Sequence, residues 1–171
     1  ITAAGGVLDR PLELIVLDHR GVPSRGLDNI ETLSTMTGLV AVIGGIHTPV
    51  AVHELEALHK YRIVYMGAWA SGTQLVKNGY DPNYAFRVAV TDSLAGGFLI
   101  DAALEEGYSN PALLLMETGW GRSNEKAMTA ALNARGLKPT AVEWFRWGIK
   151  STAPQIERIA RSGADVIIMV A

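Results

Sequence analysis

The sequence has no cysteine in its 171 residues. This excludes disulfides, thiolate catalysis and zinc–thiolate sites, and it leaves the compartment open. No apolar run reaches the roughly 18 to 20 residues that a membrane-spanning helix needs. No basic stripe exists and the formal charge is −2, which argues against nucleic acid as a partner. What is present is a chain with 49% hydrophobic and 19% charged residues. That composition buries a real core, and the length suits one ordinary domain or two small lobes.

No signal peptide is visible. The chain begins at Ile1 rather than Met, Ile1–Ala4 reads as the tail of a helix, and Ala164–Ala171 reads as a strand without its following loop. The expectation is a fragment of a longer protein that lacks pieces at both ends. The missing leader is then no evidence for the cytoplasm.

The stretch Leu39–Val50, LVAVIGGIHTPV, organises the reading. Leu39–Ile43 is a short apolar run rich in β-branched residues, as buried parallel strands are. Gly44-Gly45 breaks it. Thr48-Pro49 then offers a hydroxyl N-cap and a first-turn proline for a helix over Val50–Leu58. A strand, a glycine turn and a helix start together make an anion site, because free N–H groups and a positive dipole end face one point. The alternative is a plain βα turn.

The rest of the pattern alternates strand and helix, which predicts parallel sheet. Strands are expected at Leu12–Leu17, Ile63–Met66, Ala85–Val90, Ala112–Met116, Pro139–Phe145 and Val166–Val170. Helices are expected at Leu27–Met36, from Thr91-Asp92-Ser93 to Glu106, at Asn124–Arg135 and at Ala153–Arg161. Gly67–Thr73 and Gly119–Ser123 read as strand-end loops. The series falls into two units, roughly 1–88 and 93–171, with Tyr84–Asp92 crossing between them. Trp69 and Trp120 would then face each other at strand ends across a cleft, as pocket walls or as packing under their loops.

Several motifs fall short. Gly119-Trp120-Gly121-Arg122-Ser123-Asn124 has Asn124 where a dinucleotide fingerprint needs a third glycine, and Gly44-Gly45 lacks the Lys-Ser/Thr of a P-loop. His53 and His59 are six residues apart, about 240° round a helix, where a helical zinc pair is four apart. They suit a solvated face. Ser71 in Ala70-Ser71-Gly72 lacks the leading glycine of a nucleophile elbow, and its plain role is to solvate a turn. His47 lies beside the proposed anion site, as a hydrogen-bond donor or an ordinary loop histidine. No catalytic residue, metal site or cofactor is expected.

Taken together, Ala3-Ala4-Gly5-Gly6-Val7-Leu8 with Pro11-Leu12-Glu13-Leu14, Asp18, Val42-Ile43-Gly44, Phe86-Arg87, Trp120-Gly121-Arg122 and Gly163-Ala164-Asp165-Val166 span nearly the whole chain. In this order and spacing they resemble the type I periplasmic substrate-binding proteins, in the branched-chain amino-acid branch that serves ABC transporters. The resemblance implies an α/β fold of two Rossmann-like lobes with parallel sheets, closing on a small ligand. It implies that 1–88 is the first lobe without its first strand and helix, and that 93–171 is the start of the second.

By position, Thr48 and Ser71 match the family's two hydroxyl ligands, and Trp69 the residue whose backbone carbonyl faces the ligand. Trp120 matches the aromatic residue of the second lobe, in the place of a Tyr. With Ala70, and with His47 alongside, these are the expected ligand-binding residues. The family's later aromatic and acidic ligands would lie beyond Ala171. His47 stands where some relatives carry cysteine, Trp69 is bulkier than usual, and Ser151-Thr152-Ala153 lacks the usual Asp-Phe.

The implied function is a periplasmic or extracytoplasmic solute-binding protein, not an enzyme. It would deliver an amino acid or related small carboxylate to the membrane subunits of an ABC importer. A receptor or sensor ectodomain on the same fold is the alternative, and a Rossmann-type nucleotide-dependent enzyme a more distant one.

Overall fold

The structure, a computed structural model, describes residues 1–171. Its regular elements are α1 (Pro23–Ser34), β1 (Val42–Gly44), α2 (Thr48–Lys60), β2 (Tyr65–Gly67), β3 (Ala85–Arg87), α3 (Asp92–Glu105), β4 (Pro111–Met116), α4 (Gly119–Asn133), β5 (Val142–Phe145), α5 (Ala153–Arg161) and β6 (Val166–Val170). Short 3₁₀ turns cover Thr2–Ala4 and Thr73–Leu75. The fold is α/β. Its strands form two separate sheets, in the orders β1-β2-β3 and β5-β4-β6. Every strand pairing is parallel. No helix is long and apolar enough to cross a membrane.

The second sheet shows why its sequence reads so clearly. All six residues of β4 are buried, as the central strand of a parallel sheet requires. Alternate side chains enter different cores. Leu113 and Leu115 pack with Ile100 of α3 and with Met128 and Leu132 of α4. Ala112, Leu114 and Met116 pack with Ile159 of α5 on the other face. The connection from β4 runs outward to β5, and the next crosses back to β6. The strand order thus reverses between β4 and β6, and in open parallel sheets ligands bind at the carboxyl ends of the strands at such a point. The first sheet is covered by α1 and α2, which bury Ile30, Ala51, Leu55 and Leu58 around Tyr65 and Ala85.

Some expectations need correction. Leu12–Leu17 forms no strand and pairs with none, and Leu14 and Val16 are 83% and 77% exposed. Strand propensity alone supplies no ladder partner. Its anchor is Thr2, whose hydroxyl donates to the Leu12 carbonyl at 3.0 Å and accepts from the Leu12 N–H at 3.2 Å. Gly119–Ser123 is not a loop but the first turn of α4. Thr118 caps it, accepting from the Gly121 N–H at 3.2 Å. α1 begins early because Pro23 suits a first helical turn. The N-cap of α2 is His47 rather than Thr48, and its side chain makes no capping bond.

Candidate functional site

The carboxyl ends of β1 and β2 carry two loops stitched together through their backbones. The Ala68 N–H donates to the Gly44 carbonyl at 2.8 Å and the Trp69 N–H to the Gly45 carbonyl at 3.0 Å; the Ala70 N–H joins it there. Gly45 adopts φ +70°, which glycine reaches without strain. The helix start gives less to an anion than its sequence suggests. Pro49 has no N–H, and the Val50 and Ala51 amides both donate to the His47 carbonyl.

The two hydroxyls are held in one sense. Thr48 is 4% exposed, and its Oγ1 accepts a long bond from the Gly72 N–H at 3.4 Å. Ser71 Oγ accepts from the indole Nε1–H of Trp120 at 2.9 Å. A hydroxyl has one proton to give and can accept besides. Both side chains therefore keep that proton for a third party.

Trp120 reaches Ser71 from the other sheet. Its ring packs against the core beneath α4, while its N–H crosses to the loop after β2. The same N–H lies 3.2 Å from Asp92 Oδ1. Asp92, in the first turn of α3, is 1% exposed, and its own N–H donates to the Ser71 carbonyl at 2.9 Å. Its second oxygen, Oδ2, is buried without a partner. Arg87, at the end of β3, donates to the Gly72 carbonyl at 3.1 Å and to the Ala70 carbonyl at 3.4 Å. Burial lowers the Arg87 pKa from its usual value, and the neighbouring Asp92 charge opposes the shift.

The structure thus brings Thr48, Ser71 and Trp120 together around the 70–72 loop. Trp69 projects from the same loop and is 74% exposed. Ala70 turns its methyl into the first core, so only its backbone serves the loop. His47 takes no part in this network. Its Nδ1 is buried without a hydrogen-bond partner, and burial, then the nearby His19, lower its pKa, while the adjacent Gly21 backbone opposes them. Asp92 and Arg87 were not expected as site residues. Asp92 reads in sequence as part of a helix cap, and only its burial beside Ser71 distinguishes it. No group of three His, Cys, Asp or Glu side chains stands close enough to hold a metal. A polar hollow of about 270 Å³ at Asp18, Arg20, Arg25, Asp28 and Asn29 lies apart from these residues.

Comparison with known proteins gives this geometry a setting. No curated protein matches the sequence significantly. Solved structures match its fold. A type 1 periplasmic binding protein from Bordetella pertussis Tohama I aligns with TM-score 0.89 at 20% identity, over 99% of this chain and 47% of that one. A solute-binding protein of an ABC transporter from R. palustris, solved with 4-hydroxybenzoate, aligns with TM-score 0.81 at 19% identity, over 92% and 42%. An ABC transporter substrate-binding protein from Desulfitobacterium hafniense, solved with Leu, aligns with TM-score 0.79 at 19% identity, over 98% and 49%. The chain spans about half the length of these structures. The family model for periplasmic binding proteins matches residues 1–171. Over its whole length, then, the chain belongs to the periplasmic binding protein family and has its type I fold.

Proposed function

We propose that the protein is an extracytoplasmic, periplasmic solute-binding protein of an ABC importer. It captures an amino acid or related small carboxylate and passes it to the transporter's membrane subunits without chemical change. In this reading 1–88 and 93–171 are parts of two lobes, each built on one sheet. Tyr84–Asp92 crosses between them, and the ligand lies where Ser71 meets Trp120.

The observation that carries the reading is the shared sense of the two hydroxyls. Thr48 and Ser71 both accept from N–H groups of the protein, so each has its own proton left to donate. Two free hydroxyl donors around the 70–72 loop suit a carboxylate, and bonds to a charged acceptor are the stronger kind. Asp92 supports an amino acid within this class. Its unpartnered Oδ2 is a buried acceptor, and an ammonium group beside Ser71 would supply the missing donor. The solved relatives bound to Leu and to 4-hydroxybenzoate both hold carboxylates, which fits the broader class.

Isothermal titration of the full-length protein with L-leucine, 4-hydroxybenzoate and their methyl esters tests this. Binding of a free acid, with the ester weaker by tenfold or more, is expected from loss of a charge-assisted contact of about 1.5–3 kcal/mol. An ester that binds as tightly as its acid overturns the carboxylate site.

A further inference from the structure

Beneath the Gly44-Gly45 turn lies an acid that the ligand site does not use. Glu54, in the middle of α2, is 5% exposed. Its Oε2 accepts a hydrogen bond from the Tyr65 hydroxyl at 2.9 Å. Its Oε1 lies against α1 so closely that a Cβ at Gly26 would stand 2.6 Å from it. Tyr65, 1% exposed on β2, carries the contact to the turn. A Cβ on Gly44 would come within 3.0 Å of the Tyr65 oxygen, and one on Gly45 within 3.3 Å. Glu54, Tyr65 and the turn therefore form one packed column with no room for side chains at the two glycines.

The column holds no cation. Burial and the Tyr65 hydrogen bond are the two influences on Glu54; α1 faces it with Gly26, and β2 with Tyr65. From the turn, Gly44 and Gly45 are the residues that crowd the Tyr65 oxygen. Burial pushes the Glu54 pKa up to about 7, against the weaker pull of Tyr65. An uncompensated buried carboxylate is costly, so it takes a proton near neutrality.

We propose that Glu54 is a proton-linked positioning residue. Through Tyr65 it sets the Gly44-Gly45 turn, and its proton favours an anion bound at Thr48 and Ser71. The second clause rests on the carboxylate reading above; the first does not. The coupling is electrostatic. Neutral Glu54 leaves the turn free of negative charge from below. Ionised Glu54 places a charge two contacts beneath it, with nothing to offset it. Linkage makes the effect reciprocal, so a bound carboxylate holds the proton on Glu54 more tightly.

The test uses the full-length protein and two readouts. Amide NMR follows the Gly45 N–H across pH without any ligand. Calorimetry follows L-leucine and 4-hydroxybenzoate at about pH 6 and about pH 8, on either side of the titration. In the unmodified protein the Gly45 amide should shift with a midpoint near neutrality. The probe that binds should do so about threefold or more tightly at the lower pH. Glu54→Gln should abolish both dependences. Tyr65→Phe keeps the acid but cuts the column, and should uncouple the Gly45 amide from it; this variant decides the matter if Glu54→Gln does not fold. A Gly45 amide that does not titrate, or that titrates alike in a folded Glu54→Gln, overturns the proposal. If the amide titrates as expected and neither probe binds at either pH, the positioning role stands and the carboxylate reading falls.

Discussion

The indole N–H of Trp120 lies 2.9 Å from the hydroxyl oxygen of Ser71, so a helix packed on one sheet is bonded to a strand-end loop of the other. The indole is a donor only, and Ser71 must accept. One N–H thus joins the two halves of the chain and decides what Ser71 can offer a ligand. Asp92 shares that N–H at 3.2 Å, which places a buried acid at the same joint.

Trp120→Phe keeps most of the ring in the core and deletes only this donor. It should weaken ligand binding by about 1–2 kcal/mol, because Ser71 loses the partner that orients it and Asp92 loses its side-chain donor. Trp120→Ala also removes packing and should cost about 2 kcal/mol or more. Titration calorimetry of both variants, with folding checked by circular dichroism, separates the two roles. Equal affinity for Trp120→Phe and the unmodified protein would reduce Trp120 to a packing residue.

The hydroxyls make a second prediction. Thr48→Val keeps the shape and removes the proton donor, at about 1.5–3 kcal/mol of binding if the partner is a carboxylate. Ser71→Ala should cost a similar amount. If both protons go to one carboxylate, the losses should not add in the double variant. Strict additivity, measured by calorimetry, would place the two hydroxyls on separate ligand groups.

Legibility followed burial. Ala112–Met116 reads as a strand from its unbroken apolar run and lies in β4, because a parallel strand covered on both faces must be apolar along its length. Val166–Val170 gives the same signal and is β6, although Ile167 and Met169 on its other face are exposed. Leu12–Leu17 carries the same signal but has no neighbour to complete a ladder, and propensity cannot supply one. The glycines of Gly119–Ser123 suggest a loop, yet the Thr118 cap, three residues before the Gly121 amide it accepts from, outweighs them. At the site, Thr48, Ser71 and Trp120 were visible as residue types at strand ends. Asp92 was not, because an acid at a helix start looks the same whether it is solvated or sealed against another loop. Glu54 was hidden for a related reason. In His53-Glu54-Leu55-Glu56 nothing marks which acid faces Tyr65.

Acid and base should affect stability unequally. The Glu54 pKa stands at about 7 in the folded chain, against 4.5 for an exposed carboxyl. A raised pKa means the folded state holds the proton more tightly, so its contribution is fully present below about 4.5 and is lost as pH rises through about 7. The full difference is at most about 3 kcal/mol, at 1.36 kcal/mol per pH unit. Glu143, held below its usual range mainly by its bond from Arg158, acts in the opposite sense and loses stability as pH falls. Thermal melts across this window should show Glu54→Gln more stable than the unmodified protein near pH 8 and flatter below it. Parallel curves for the two proteins would mean that Glu54 is ionised in both states.

Gly72 gives the sharpest test of how the two loops fit. Its backbone angles, φ −52° and ψ 123°, are open to any residue, so a substitution there brings no backbone strain. What a side chain would meet is Thr48, since a Cβ at position 72 would collide with the Thr48 methyl carbon. Gly72→Ala should therefore displace Thr48 and stretch the already long 3.4 Å bond from the Gly72 N–H. Binding should fall by about 1–3 kcal/mol, the range for overpacking a close contact. Thr48→Ser removes that methyl and keeps the hydroxyl. Added to Gly72→Ala, it should restore most of the affinity, whereas by itself it should change little. Rescue by the pair shows that the contact between these residues sets the position of the Thr48 proton. A double variant as weak as Gly72→Ala would show that the loop, rather than Thr48, had moved.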